Sequence, residues 1–257
     1  MNDLPLARRD VIAARLAAGQ AANSTALALE FGVSEDAIRR DLRALAADGL
    51  CRRVYGGALP LSPASTPMAT RIDEARERKE ALARVGATLV EPGELVFLDN
   101  GSTNLALVRF LPGGYDLTVA TNSIGIAAEV VKRKDLQLIL LGGVVDPHVG
   151  GCVDANAVAR LGEMNIDTCF VGACAVSVEA GVCAFNPADA TFKRALRAAG
   201  RTTVVMATTE KLGTRAPYRI AAVKDVHRFI LEGDAPDADV QALVQAGAPV
   251  LQAEPLS

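Results

Sequence analysis

Residues 31–45, with the sequence FGVSEDAIRRDLRAL, decide the fold of the first part of the chain. Ser34 stands where a helix N-cap belongs, because its hydroxyl can accept a hydrogen bond from a backbone N–H of the first turn. Gly32 permits a tight turn before the helix, since glycine has no side chain to oppose a positive φ. The predicted buried face consists of three apolar residues at helical spacing: Ile38, Leu42 and Leu45. This pattern predicts a short turn followed by an amphipathic helix.

Arginines occupy the other faces of this helix and the segment that follows it. From residue 39 to residue 53 there are five arginines against two acidic residues: Arg39, Arg40, Arg43, Arg52 and Arg53 against Asp41 and Asp48. Arginine suits both phosphate oxygens and the edge of guanine, so the pattern favours a helix-turn-helix that reads DNA. For the helix taken alone, a solvated face whose arginines pair with acidic neighbours stays open as an alternative.

The neighbouring sequence completes a small N-terminal domain. Residues 6–17 predict a first helix, and Asn23 or Ser24 can cap a short second helix before the turn. Residues 51–59 predict two short strands around a turn. Such a hairpin would be the wing of a winged helix-turn-helix, with Arg52 and Arg53 near the DNA backbone or the minor groove.

A change of composition marks the end of this domain. Residues 60–70 are rich in Pro, Ser and Ala, which is typical of a linker. We therefore expect a DNA-binding domain over residues 1–59, a linker over residues 60–70 and a second domain over residues 71–257.

The second domain alternates apolar strand-like runs with helical segments after a charged amphipathic helix at residues 71–90. The predicted strands are Leu95–Leu98, Leu117–Ala120, Leu136–Leu141, Thr168–Val171, Thr203–Met206 and Phe229–Leu231. The predicted helices lie near residues 102–111, 123–133, 154–162, 188–199 and 237–246. Continuous apolar strands that alternate with helices predict an α/β fold with a mostly parallel, Rossmann-like sheet.

Polar clusters follow three successive strands, at the sheet edge where ligands of open parallel sheets bind. They are Asp99 with Gly101, Ser102 and Thr103, then Thr121, Asn122 and Ser123, and finally Gly142 and Gly143. A Gly-Ser-Thr turn at a helix start offers backbone N–H groups and hydroxyls to an anion. Each cluster alone could be an ordinary helix cap or turn, but three at equivalent positions predict a phosphate or carboxylate site.

Composition excludes other classes of protein. The formal net charge of −3 argues against indiscriminate coating of nucleic acid or of an anionic membrane. Two histidines and five cysteines without a C-x-x-C pair make a metal site unexpected, and we predict no cofactor. The sequence has no signal-like start and no apolar run of membrane-spanning length, so we expect a cytoplasmic protein without membrane contact.

The segments FGVSEDAIRRDL (31–42), Gly49-Leu50 and RVYGGA (53–58) resemble the N-terminal domain of DeoR-type bacterial transcriptional regulators. The resemblance implies a winged helix-turn-helix that binds double-stranded operator DNA. The candidate DNA-binding residues are Ser34, Glu35, Asp36, Ala37, Arg39, Arg40, Arg43, Arg52 and Arg53. Ala37 departs from the family, which usually has Thr there, so the operator preference does not transfer.

The second domain is similar to the DeoR-type effector domain, whose fold is that of sugar-phosphate isomerases. Lys79, the polar clusters, and the positions of Glu179, Lys193 and Lys211 match the family pattern; Thr208 and Ala175 depart from its usual Asp and Gly. The resemblance implies a transcriptional regulator whose DNA binding is modulated by a phosphorylated sugar. We expect this regulator to be a repressor of sugar-metabolism genes. The candidate effector-binding residues are Asp99, Gly101, Ser102, Thr103, Thr121, Asn122, Ser123, Gly142, Gly143, Glu179, Lys193 and Lys211.

Three further interpretations bear on function. One DNA-binding domain offers few base contacts, so we expect a homo-oligomer that pairs two of them. The second domain could instead be a sugar-phosphate isomerase or deaminase, with Asp99 as general base and Lys193 as electrophile, or an oligomerisation module with an empty pocket. For Asp99 we favour a hydrogen-bonding role over catalysis.

Overall fold

The computed structural model describes residues 5–17, 22–48, 50–54, 56–60 and 67–255 of the 257-residue chain. Residues 61–66 of the predicted linker lie outside the described residues, as do Gly49 and Tyr55. None of the described helices combines the length and apolar character needed to cross a bilayer.

The N-terminal part consists of three helices and a small antiparallel sheet. Its elements are α1 (Pro5–Ala17), β1 (Ala22–Asn23), α2 (Ser24–Phe31), α3 (Glu35–Ala47), β2 (Cys51–Val54) and β3 (Gly57–Pro60). Strands β2 and β3 form the predicted hairpin, and β1, which the sequence did not predict, pairs with β3 in the order β1-β3-β2.

Local sequence explains where the helices of this part begin and end. Asn23 caps α2 by accepting from the backbone N–H of Ala26, and Ser34 caps α3 by accepting from that of Ala37 at 3.2 Å. Gly32 adopts a left-handed conformation with φ of 64° between the two helices. The predicted caps and turn are therefore confirmed.

One apolar cluster holds the three helices and the hairpin together. The predicted face of α3 is confirmed, because Ile38, Leu42 and Leu45 are all buried. They pack with Ile12 and Leu16 of α1 and with Cys51 and Ala58 of the hairpin. The helix that carries the arginines is thus fixed by its apolar face, which leaves its polar faces toward solvent.

The second part begins with two helices where the sequence predicted one. The helix predicted over residues 71–90 is present but shorter: α5 spans Arg76–Ala87, and a separate α4 spans Met68–Arg71 before it. Between them Ala75 has a φ of 48°. The Lys79 ammonium donates to the Arg71 carbonyl at 2.5 Å, so a side chain of α5 satisfies the end of α4.

Strands and helices then alternate through the rest of the chain. The strands are β4 (Leu95–Leu98), β5 (Thr118–Thr121), β6 (Gln137–Leu140), β7 (Val145–Asp146), β8 (Gly151–Cys152), β9 (Ile166–Phe170), β10 (Ala175–Ser177), β11 (Gly181–Ala184), β12 (Gly200–Ala207), β13 (Tyr218–Ala221), β14 (Arg228–Leu231) and β15 (Val250–Gln252). The helices are α6 (Ser102–Leu107), α7 (Ile124–Val130), α8 (Ala155–Leu161), α9 (Pro187–Ala199) and α10 (Asp237–Gln245).

Seven of these strands form one sheet in the order β15-β14-β12-β9-β4-β5-β6, and every neighbouring pair is parallel. All six predicted strands lie in it, so the α/β class with a parallel sheet is confirmed. The sequence did not predict β15 or two small antiparallel sheets, β10-β11-β13 and β7-β8.

Helices cover both faces of the sheet. On β4, Val96 and Leu98 join one apolar cluster, with Leu82 of α5 and Leu107 of α6, while Phe97 joins the other. Phe192 of α9 belongs to that second cluster. Because both faces of the central strands are buried, polar groups of this domain meet at the carboxyl ends of the strands.

Candidate effector cleft and nucleic-acid interface

A cleft lies at the carboxyl ends of β4 and β9. Five of the predicted effector-binding residues line it: Gly101, Ser102, Thr103, Lys193 and Lys211. Further lining residues that the sequence analysis had not chosen are Arg71, Asn100, Asn104, His148, Gly172, Asn186 and Asp189.

Asp99 lies beneath this cleft and organises its floor. It is completely buried, and its Oδ2 accepts from the backbone N–H of Gly172 at 2.7 Å and from the Lys193 ammonium at 3.1 Å. Its Oδ1 accepts from Asn100 at 3.1 Å. Gly172 must be a glycine, because a Cβ there would lie 2.5 Å from the Asn100 carbonyl oxygen. Asp99 thereby joins the loops after β4 and β9.

Lys193 is the counter-ion of this floor. Its Nζ contacts Asp99, donates to Asn100 Oδ1 at 3.2 Å and donates to Asp189 Oδ1 through a short contact. Asp189 lies one turn earlier on α9, whose N-cap is Asn186. All three ammonium protons therefore have acceptors in the protein, and two carboxylates balance the one positive charge.

Burial sets the protonation of this cluster. Desolvation, with the nearby Asp189 charge, raises the pKa of Asp99 to about 6, although Lys193 opposes the shift. The two carboxylates in turn raise the pKa of Lys193 despite its burial. Lys193 thus stays charged, and its ammonium group pairs with the carboxylates of Asp99 and Asp189.

The Gly101–Thr103 turn has a hydroxyl without a partner. Gly101 has a φ of 154°, which a larger side chain would strain, and Asn104 ties the turn down by donating to the carbonyls of Asp99 and Phe170. Thr103 is 95% buried, at 5% exposure, and its Oγ1 has no hydrogen-bond partner among the described residues. A buried hydroxyl on the cleft wall is open to a ligand oxygen.

The second predicted cluster supports the loops and does not line the cleft. Thr121 donates to the Leu98 carbonyl at 2.6 Å, and Ser123 caps α7 by accepting from Ile126. Asn122 accepts from the backbone N–H of Asn100 at 3.2 Å and donates to the Cys152 carbonyl at 3.1 Å. All three side chains are buried, and these hydrogen bonds occupy their polar atoms.

Gly142, Gly143 and Glu179 lie outside the lining of the cleft. A Cβ at Gly143 would stand 2.7 Å from Asp154 Oδ2, so the approach of this carboxylate, the N-cap of α8, explains the glycine. Glu179 is exposed in the turn between β10 and β11, and its carbonyl accepts from Arg219. The structure does not bring these three residues to the cluster around Asp99.

The positive charge of the cleft comes from Arg71 and Lys211. Burial lowers the pKa of Arg71, and burial also lowers the pKa of Lys211 to about 8, assisted by the charges of Arg71 and Lys79. Burial likewise lowers the pKa of the neighbouring Lys79, which is 7% exposed. Desolvated cations that repel one another favour the entry of an anion.

The arginine helix α3 presents two kinds of arginine. Arg39 pairs with Glu35 at 2.8 Å and with Asp36 at 3.3 Å. Arg40, Arg43 and Arg53 are exposed, and no ion pair of theirs is found among the described residues. The side chain of Arg52 lies outside what the structure describes.

Two further polar residues, Ser34 and Asp41, hold α3 in place. The Ser34 hydroxyl accepts from the backbone N–H of Ala37, so it is already engaged. Asp41, between the arginines, is buried and accepts from Arg8 at 2.7 Å. This ion pair joins α3 to α1, and the sequence analysis had not assigned it a role.

Comparisons with known proteins cover both parts of the chain. Residues 8–64 match the model of the DeoR-like helix-turn-helix domain, and residues 74–233 match that of the DeoR C-terminal sensor domain. The "HTH-type transcriptional regulator GolR" of Listeria innocua is 32% identical over 86% of this chain and 88% of its own length. The "Glycerol-3-phosphate regulon repressor" of Escherichia coli is 28% identical over 83% of this chain and 85% of its own.

Among solved structures, ribose 5-phosphate isomerase A from Methanocaldococcus jannaschii aligns with a TM-score of 0.39 at 18% identity. The alignment covers 52% of this chain and 53% of the isomerase.

We predict that Lys193→Met lowers the free energy of unfolding of the second domain by roughly 3–5 kcal/mol, because it leaves two buried carboxylates without a counter-ion. Urea denaturation at pH 7 measures this loss. Since the pKa of Asp99 is raised in the folded state, the variant should regain stability as the pH falls toward 5.

The matched control is Lys132→Met, which removes an exposed lysine paired with Glu129 and should cost about 0.5 kcal/mol or less. A Lys193→Met variant as stable as this control would contradict the assigned role of the cluster.

Proposed function

Because this chain belongs to the DeoR family of DNA-binding transcriptional regulators, we propose that it represses genes of sugar metabolism until a phosphorylated sugar enters the cleft. The observation that carries the proposal is the cleft itself, where desolvated cations and an unpartnered buried hydroxyl face the same space. We further propose that the protein acts in the cytoplasm, where bacterial operator DNA lies.

The DNA half of the proposal assigns α3 to the major groove. The first turn of a recognition helix reaches base edges, which here brings Glu35, Asp36 and Ala37 to the DNA with the Ser34 cap. Arg40 and Arg43 are exposed and have the reach for phosphates or guanine. Arg39 would exchange its pairs with Glu35 and Asp36 for DNA, and the hairpin arginines would contact the backbone.

The effector half assigns the phosphate group to the Gly101–Thr103 turn and to the cations that line the same cleft. Ser102 and Thr103 offer hydroxyls, and Lys211 and Arg71 offer charge. Lys193 would serve mainly to hold the floor, because its ammonium already has three acceptors. The name of one relative, a glycerol-3-phosphate regulon repressor, suggests glycerol 3-phosphate as a first compound to test, and ribose 5-phosphate represents the phosphorylated sugars.

The geometry of Asp99 favours regulation over catalysis. A general base needs a carboxylate oxygen within reach of the substrate proton. Asp99 is completely buried and is not part of the cleft lining. Both of its carboxylate oxygens already accept hydrogen bonds, from the loops and from Lys193. We therefore assign it a structural role.

A homo-oligomer would pair two DNA-binding domains, and one surface suits it. Strand β6 is the edge of the seven-stranded sheet, so its outer backbone groups are open to a second strand. Around it the chain exposes several large apolar side chains: Ile124, Val131, Ile139, Leu140, Val144 and Val145. A second copy is the occupant that also supplies the second DNA-binding domain, so we assign this 124–145 surface to contact between copies.

We predict that Arg40→Ala and Arg43→Ala each weaken binding to the DNA upstream of the protein's own gene by about 10-fold to 100-fold, because each removes a charge-assisted contact worth about 1–3 kcal/mol. Mobility shifts at two salt concentrations measure the effect. A variant that loses a phosphate contact should also reduce the salt slope by about 1.

The matched control is Arg160→Ala, which removes an exposed arginine of α8. No mobility shift by the wild-type protein at low salt would disprove the DNA half. Equal DNA affinities of the Arg40, Arg43 and Arg160 variants would contradict the assignment of α3 to the DNA interface.

We predict that the affinity for a phosphorylated ligand falls as the pH rises, by roughly tenfold between pH 7.5 and 9, because Lys211 has a pKa of about 8 and loses its charge there. The phosphate group, with a second pKa near 6, stays dianionic throughout. Calorimetry with ribose 5-phosphate and glycerol 3-phosphate measures the affinity.

Lys211→Arg keeps the charge at all these pH values, so its affinity should be constant over the range. Burial raises the pKa of the nearby Cys174 thiol. The same pH dependence in the Arg variant would remove Lys211 from the site.

We predict that Val131→Glu and Val144→Glu shift the protein to the monomer, because each buries a charge in the proposed contact. The side chains are 70% and 76% exposed, so the fold itself should tolerate the change. Light scattering measures the mass, and Val244→Glu, on exposed α10, is the control. A monomeric wild type, or variants that keep its mass, would contradict this assignment.

A further inference from the structure

Helix α4 is the first described element after residues 61–66, and it forms part of the effector cleft. Arg71, its last residue, lines the same cleft as the Gly101–Thr103 turn. The other lining residues come from elements later in the chain. The helix that follows residues 61–66 thus contributes a side chain to the sensor's own cavity.

The structure holds α4 at both of its ends. The backbone N–H of Met68 donates to the His148 carbonyl at 3.0 Å, and His148 itself lines the cleft. Met68 is buried against Gly150, where an added Cβ would lie 2.9 Å from the Met68 side chain. At the other end the Arg71 carbonyl accepts from Lys79. The position of α4 therefore depends on groups in or next to the cleft.

Charge around Arg71 gives a ligand the means to act on this helix. Lys79 and Lys211 place like charges near Arg71, while Asp189 and Glu74 offset them in part. An anion between Arg71 and Lys211 would attract both cations. It would bind more tightly when α4 keeps Arg71 in the cleft than when α4 has moved away. That difference in affinity is what a ligand needs in order to shift a conformational equilibrium.

We propose that Arg71 contacts the anionic group of the effector and couples its binding to the DNA-binding domain through α4. The inference rests on the proposed function, in which the cleft takes a phosphorylated small molecule. The inference identifies Arg71 as the residue through which ligand binding in the cleft changes the affinity for DNA. Lys211 contributes to ligand affinity, whereas Arg71 contributes to both ligand affinity and coupling.

Arg71→Gln and Lys211→Gln form a matched pair for the test, because each removes one cation from the cleft and only Arg71 lies on α4. Ribose 5-phosphate, glycerol 3-phosphate and inorganic phosphate are the probes. Each is titrated to saturation while the affinity for the upstream DNA is measured in the full-length protein. Each variant is compared with its own affinity in the absence of probe.

Both variants should need at least about tenfold more probe than the wild type to saturate, since each loses one cation–phosphate contact. At saturation Lys211→Gln should reach the wild-type change in DNA affinity, while Arg71→Gln should show little or none. Arg71→Lys, which restores the charge, should recover part of the change. Hydrogen exchange should show that the probe protects the amides of residues 67–79 in the wild type and in Lys211→Gln, but not in Arg71→Gln.

The outcomes separate the two proposals. A wild-type protein that none of the probes stabilises or releases from DNA would contradict the effector half of the proposed function, and this inference with it. A folded Arg71→Gln variant that reaches the full change at saturation would overturn the coupling role of Arg71 alone. Equal loss of coupling in both variants would also overturn it, because it would make α4 no different from the rest of the cleft.

Discussion

One buried ammonium group, that of Lys193, holds the cleft side of the sensor domain together. It contacts Asp99 at the end of β4 and Asp189 in the first turn of α9, and both carboxylates are buried. Removing either partner from such an arrangement would leave an uncompensated charge in the interior. The loop after β4, the loop after β9 and the start of α9 are therefore fixed relative to one another. Lys193, Asp99 and Asp189 together form the rigid floor of the cleft.

That rigid floor gives the cleft two different walls. The Gly101–Thr103 turn is tied to the sheet by Asn104, and it presents a hydroxyl that no described residue satisfies. Lys211 and Arg71 also line the cleft, and their lowered pKa values reflect their burial near one another. A ligand that joins these walls would connect the fixed sheet to the helix that follows the linker. Sensing and transmission then use the same cavity.

Much of the fold followed from local patterns, and the failures have local causes. Caps at Asn23 and Ser34 and the turn at Gly32 were predicted because they depend only on neighbouring residues. Strand β15 and the two small sheets were missed, since strands of two to four residues carry little periodicity; equally short strands such as β4 and β14 were predicted from their apolar runs. The helix predicted over residues 71–90 begins only at Arg76, after a positive φ at Ala75 and after a separate α4 whose Arg71 carbonyl accepts from Lys79. An amphipathic pattern does not reveal such a break.

The sequence by itself determined that a basic helix-turn-helix precedes an α/β domain with polar turns at its strand ends, because periodicity, caps and motif spacing are local. Only the tertiary structure decided which polar groups meet. It set Lys193 between two carboxylates, turned Asn122 and Ser123 to loop support, and left Glu179 outside the cleft. It also brought Arg71, about 30 residues before the Ser102 turn in sequence, to the same cavity. Contacts between distant segments depend on strand order and helix packing, and no local pattern encodes them.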